Sequence, residues 1–119
     1  MATFFIDLDG CIFFHGTNKI IPGANELLEQ IIKNNGDIIF TTYRGDKNFK
    51  NHSIYSKEGC LNGIRMLKIK YKEIIFDIDS PRIIINDSGA FAINHNKNDT
   101  WQCNDLEKIK EYFNKKEKK

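Results

Sequence analysis

The sequence predicts an α/β domain built on a mostly parallel sheet covered on both faces. Two observations predict it. Short apolar runs alternate with one-faced amphipathic stretches in the order strand, helix, strand, helix, strand, strand, helix, which is the pattern of parallel strands joined by crossover helices. Three of the apolar runs also end in carboxylate, hydroxyl or amide side chains. In a parallel sheet such strand ends meet along one edge, where α/β folds place their ligand sites. The 119 residues suffice for one domain with a core and not for two. Residues 1–114 are read as that domain, and 115–119 (Lys-Lys-Glu-Lys-Lys) as a frayed, basic helix end.

The first strand is placed at residues 3–8, an apolar run closed by Asp7 and Leu8. Pro22-Gly23 breaks the chain before a helix whose apolar residues fall at Ala24, Leu27, Leu28, Ile31 and Ile32. That spacing is the stripe of one buried helical face. Asn35-Gly36 stops it, with Gly36 suited to a left-handed cap. Residues 37–42 form the second strand, and a polar loop, 43–57, follows. A second helix is expected over 58–71 with Cys60, Ile64, Leu67 and Tyr71 on one face, although Gly59 and Gly63 lower its intrinsic propensity. Residues 73–78 and 82–85 read as two further buried strands around Ser80-Pro81, and 91–93 as a short edge strand. Asn104-Asp105-Leu106-Glu107 resembles a capping box opening a last helix with Leu106, Ile109 and Phe113 inward.

Composition narrows the function classes. Hydrophobic content of 40% and charged content of 29% suit a soluble globular protein. Net charge is only +2, and no basic stripe runs into the fold, so there is no specific nucleic-acid signal. No apolar run approaches the ~18 residues that span a bilayer, and no charged leader precedes the first strand. Cys11, Cys60 and Cys103 are odd in number and form no Cys-x-x-Cys pair. They read as reduced thiols of a cytoplasmic protein, with Cys11 a small buried filler.

The chemistry concentrates in Phe4-Phe5-Ile6-Asp7-Leu8-Asp9-Gly10. Residues two apart on a strand share a side of the sheet, so Asp7 and Asp9 reach one hard cation from the strand's C-terminal end. An Asp-x-Asp pair alone better suits an acidic surface turn; the apolar lead-in, Gly10 and the place on the first strand favour a site. The second strand offers Thr41 or Thr42, then Tyr43, Arg44 and Gly45, and the 82–85 strand offers Asn86-Asp87-Ser88. The later Phe76-Asp77-Ile78-Asp79 echoes the first motif but precedes Ser-Pro in place of a turn glycine, and is read as a decoy.

These stations resemble, in order and across nearly the whole chain, the haloacid dehalogenase-like (HAD) superfamily of phosphohydrolases. Asp7-Leu8-Asp9-Gly10 looks like the family's first motif, Thr42 (or Thr41) like its second, and Asn86-Asp87-Ser88 like its fourth. Thr42-Tyr43-Arg44-Gly45 is similar to a Thr-x-Arg-Gly found in small members linked to sugar and polysaccharide metabolism. The resemblance implies a three-layer Rossmann-like HAD fold without a large cap domain. It also implies a phosphatase that works through an aspartyl-phosphate, with Asp7 the nucleophile and Asp9 the acid and base. Mg²⁺ would be held by Asp7, the backbone carbonyl of Asp9, and Asp87, with Asn86 behind them. The Thr42 hydroxyl and the N–H groups of Leu8, Gly10 and Tyr43 would cradle the phosphoryl oxygens. Arg44, read from its own chemistry, either grips a substrate carboxylate or phosphate or stays a solvated loop arginine.

Two departures matter. Cys11 follows Gly10 where the family usually has Thr or a similar residue. The lysine that the family places before its fourth motif is missing from 77–82, so Arg82 or Lys72, with Lys68 and Lys70 behind them, is expected to supply the charge. The contrasting reading is a HAD-fold binding or interaction module without turnover. A receiver with a phosphorylatable aspartate fits less well, because the candidate nucleophile lies on the first strand. His15 is placed on a flap beside the site or in a plain loop, and His52 and His95 have no ligand spacing with Cys or other His. The segments 11–21 and 43–57 are too short to fold as lids, so the site is expected to be open. An open site points to a small-molecule or polymer-end phosphate substrate that is itself bulky, or to cover from a homo-oligomer.

Overall fold

A computed structural model describes residues 2–87 together with Gly89, Ile93 and Phe113. The elements run β1 (Thr3–Asp7), α1 (Ala24–Lys33), β2 (Asp37–Thr41), α2 (Asp46–Phe49), α3 (Lys57–Leu67) and β3 (Glu73–Ile75). The sheet has the order β1-β2-β3, and both pairings are parallel. Register sets Asp7 opposite Thr41 and Thr41 opposite Ile75, so the three C-terminal ends are level. Parallel neighbours need a crossover; α1 lies between β1 and β2, and α2 and α3 between β2 and β3.

Burial follows position in the sheet. In the central strand β2 the residues Ile38, Ile39, Phe40 and Thr41 are all buried, as a run flanked on both edges requires. In β1 burial alternates: Ile6 is buried while Phe5 is 60% exposed, so this strand is covered less completely than its apolar sequence predicts. The core gathers Ile6, Ile38 and Phe40 of the sheet with Leu27, Leu28 and Ile31 of α1 and Cys60, Ile64 and Leu67 of α3.

Both long helices form where the periodicity places them, with different ends. In α1 the residues Ala24, Leu27, Leu28 and Ile31 are buried as expected, but Ile32 sits at the rim and is exposed. The left-handed residue after α1 is Asn35 (φ 60°), not Gly36. Asn35 N–H bonds to Ile32 O and Gly36 N–H to Ile31 O, the paired bonds of a Schellman cap. Gly36 is needed for space instead, because a Cβ there would lie 2.8 Å from Ile31 Cγ2 and 3.1 Å from Phe4 Cε1. α3 is opened by Ser56, whose side chain accepts the Gly59 N–H, and it ends at Leu67 because Lys68 turns left-handed (φ 54°). Tyr71 therefore leaves the predicted helical face and packs its ring 5.7 Å from Phe40.

The expected buried strand at 82–85 is a correction. These residues lie in no strand among the described residues, and Ile83, Ile84 and Ile85 are 80%, 64% and 91% exposed. A β-branched run favours extended backbone, but a strand exists only where a neighbour supplies the ladder. The preceding strand is likewise shorter than the predicted 73–78, ending at Ile75. Beyond it the chain turns at Asp77 (φ 60°), whose N–H bonds to Arg44 O. The edge strand at 91–93, the capping box and the tail 115–119 fall outside the described residues, except that Ile93 packs partly buried on the core without strand pairing. Phe113 is helical and buried as expected, its ring 5.7 Å from that of Phe4.

Candidate active site

β1 delivers Asp7 to the level C-terminal edge, and the next residues fold straight back. Leu8, fully buried, fixes this turn: its carbonyl accepts the N–H groups of Cys11, Ile12 and Phe13. Gly10 takes φ 85°, a conformation that side chains disfavour, and its N–H donates to Phe13 O at 2.8 Å. The Gly10 N–H thus serves the turn, and is not free to cradle a phosphate as the sequence suggested.

Asp7 has a side chain 34% exposed, with Arg82 Nη2 at 3.2 Å from its Oδ1. Burial is the main reason its carboxyl is held above the usual range; Arg82 and the Leu8 N–H pull it back down, Asp9 pushes it up, and His15 lowers it. The flap position of His15 is thus within electrostatic reach of Asp7, although its side chain is exposed.

Asp9 sits in a different environment. Arg44 grips it through both oxygens, Nε to Oδ2 at 3.1 Å and Nη2 to Oδ1 at 2.8 Å. The Tyr55 hydroxyl also donates to Oδ1 at 3.0 Å. Arg44 is completely buried, so its charge must be fully partnered. Asn18 Oδ1 and Thr17 O, each at 2.6 Å, supply the remaining acceptors, and the rings of Phe13 and Tyr55 lie 5.1 and 4.8 Å from the guanidinium carbon. Where the sequence assigned Arg44 to substrate phosphate, the structure turns it inward onto the protein.

Thr41 and Thr42 are both buried. The Thr42 hydroxyl accepts the Arg44 N–H at 3.0 Å and keeps its own proton to donate. Tyr43 is exposed and packs edge-on against Phe49. Gly45 (φ 153°) is required: a Cβ there would run into the Asp77 carboxylate, which accepts the Lys47 N–H. The decoy aspartate Asp77 thus braces the loop after β2.

The two candidate basic groups separate. Arg82 reaches Asp7. Lys72 is exposed at the start of β3, its N–H on Ile38 O, at the end of the sheet away from Asp7. Asn86 and Asp87 lie exposed on the extended segment after Arg82. Among the described residues no three His, Cys, Asp or Glu side chains gather into a metal-holding group; the set expected for Mg²⁺ needs only the carboxylates of Asp7 and Asp87 with the Asp9 backbone carbonyl. Arg44 and Tyr55 hold both Asp9 side-chain oxygens, so the part of Asp9 in that set is its backbone carbonyl, and 82–87 lies in no strand. Among the described residues Cys11 and Cys60 form no disulfide, and burial pushes their thiols up to about 12 and about 11, which fits fillers better than nucleophiles.

Comparison with known proteins supports the fold level. The chain is similar to a crystal structure of a structural-genomics target from Vibrio cholerae, with a TM-score of 0.56 and 20% identity over 98% of this chain and 99% of that one. No family model matches the chain, and no curated protein matches it.

Sequence reasoning missed Tyr55, Asn18 and Thr17. Each lies in a polar loop with no periodicity, and meets Asp9 or Arg44 across 26 to 46 residues of chain. The one available signal was Arg44 itself, a charge directly after a buried strand, which needs an acid partner if it turns inward.

Proposed function

We propose that this chain is a phosphohydrolase of the HAD-like kind, built on the three-layer Rossmann-like arrangement, which hydrolyses a phosphate monoester with Asp7 as nucleophile. The observation that carries the reading is Asp7 itself: a partly exposed carboxylate at the C-terminal end of β1, level with Thr41, with a guanidinium 3.2 Å away. A carboxylate oxygen of Asp7 attacks phosphorus while the ester oxygen leaves with a proton from Asp9; a water then gives a proton back to Asp9 and attacks phosphorus, which releases the phosphate and restores the Asp7 carboxylate. Arg82 supplies positive charge beside the nucleophile for the dianionic phosphate. Thr42 and the Leu8 and Tyr43 amides are the further donors proposed for it.

Mg²⁺ belongs to the proposal through the resemblance. The set it would use is the Asp7 and Asp87 carboxylates with the Asp9 backbone carbonyl, and the steps above run through the protein's own groups. The protein is proposed to be cytoplasmic, on an odd number of cysteines that form no Cys-x-x-Cys pair. No helix among the described residues is long and apolar enough to cross a membrane.

One observation favours a second reading, a HAD-fold binding module without turnover: both oxygens of the expected acid–base, Asp9, are already bonded. Turnover of a generic aryl phosphate separates the two. The phosphatase reading expects hydrolysis that is suppressed by EDTA, restored by Mg²⁺ and abolished in Asp7→Asn. An inert wild type leaves the binding module. Turnover indifferent to EDTA removes the metal from the proposal, and turnover surviving Asp7→Asn removes the mechanism.

A further inference from the structure

Three segments converge on the Asp9 carboxylate. Arg44, just after β2, takes both oxygens, and Tyr55, just before α3, takes Oδ1 a second time. The loop after β1 closes the ring: Asn18 Oδ1 and Thr17 O accept from Arg44, and Gly16 N–H donates to the Tyr55 oxygen at 3.0 Å. Asn18 also donates to Gly59 O of α3 at 3.1 Å. The guanidinium is fully buried and flanked by two rings, while the Asp9 side chain keeps 16% exposure.

We propose that Arg44 and Tyr55 are positioning residues, which fix the Asp9 carboxylate in one orientation and dock the two flanking loops on it. The proposal rests on the phosphatase reading. A carboxylate alone on a loop rotates freely and loses rate through misorientation; three donors on two oxygens remove that freedom. The fork of an arginine suits this where a lysine's single ammonium does not, because two parallel N–H bonds define a plane. Tyr55 adds the link that a salt bridge lacks. Its hydroxyl donates to Asp9 and accepts from Gly16, so one oxygen links the orientation of Asp9 to the docking of the 11–21 loop.

The test is steady-state kinetics on an aryl phosphate for the wild type, Tyr55→Phe and Arg44→Lys, with thermal melts of each. Tyr55→Phe, at a partly exposed position, should fold and lose kcat by roughly 10- to 100-fold while KM stays within about 2-fold. Arg44→Lys should lose at least as much. A direct readout of the contact is the alkaline absorbance titration of the Tyr55 phenol, isolated by difference from Tyr55→Phe. Burial and the Asp9 charge hold this phenol above its ordinary range, so it should ionise at lower pH in Asp9→Asn. An active wild type with unchanged kcat in a folded Tyr55→Phe overturns the positioning role alone, as does a phenol indifferent to Asp9→Asn. A wild type without turnover sinks the phosphatase reading and this role with it.

Discussion

Asp7 and Asp9 are two residues apart in sequence and opposite in circumstance. Asp9 is saturated with donors, whereas Asp7 carries a net penalty for being charged, because desolvation outweighs the pull of Arg82. The consequences for stability and rate have opposite signs. A carboxyl whose folded value lies above its unfolded one, 3.8 for Asp7, favours the fold most below that unfolded value, and the advantage is lost as pH rises through the folded value. Asp7→Asn should therefore melt at a higher temperature than the wild type at neutral pH, and the difference should vanish in acid below the unfolded value. Calorimetry at the two pH values checks this; an Asn variant less stable than the wild type at neutral pH would show that the Arg82 contact dominates burial. Activity should run the other way, falling as pH drops through the raised value, since attack needs the carboxylate. Arg82→Ala should move that acid limb to higher pH, because Arg82 lowers the Asp7 value, and should weaken phosphate binding by roughly tenfold. Lys72→Ala, at the far end of β3, should do neither.

At the scale of elements, the two glycines of α3 decide how the helix seats against the site. In an open helix position Gly→Ala stabilises by about 1 kcal/mol. Here a Cβ on Gly63 would lie 2.6 Å from Asn18 Cγ, and Asn18 is tied to Arg44 at one end of its amide and to Gly59 O at the other. Moving Asn18 breaks those bonds, so the propensity gain is outweighed and Gly63→Ala should destabilise by about 1–2 kcal/mol. Gly59→Ala should cost more, because its Cβ meets backbone, with Ile54 C at 2.8 Å, and backbone yields less than a side chain. Urea melts of both variants check the order. Equal or increased stability in Gly59→Ala would contradict the close approach of α3 to residues 53–54.

At the scale of the molecule, neither segment flanking the site forms a lid of its own. The loop after β1 consists of turns, and the one after β2 carries only the four residues of α2. They dock on each other over Asp9 through Tyr55 and Arg44, and leave Asp7 accessible. The proposed enzyme must then exclude water with its substrate or with a second copy. Sedimentation together with rates on small and large phosphate esters tests this. A bulky sugar or polymer-end ester should be preferred by a monomer, or the protein should sediment as an oligomer. A monomer that favours the smallest esters would contradict both.

By itself the sequence determined the parallel α/β order, the buried faces of α1 and α3, and the delivery of Asp7 to the end of β1. Each of these rests on a local period or on residues adjacent in the chain. It pointed to Arg44, just after the second strand, and to Arg82 or Lys72 as charges for the site without saying where any of them would turn. Only the tertiary structure decided that Arg44 points inward to Asp9, that Tyr55 and Asn18 complete its contacts, and that Arg82 rather than Lys72 meets Asp7. It also decided that 82–85 runs outside the described sheet. Contacts between polar loops carry no periodicity. Their partners are set by which loops the packed sheet and helices bring together, and a buried charge then takes whatever acid, amide and ring lie within its reach.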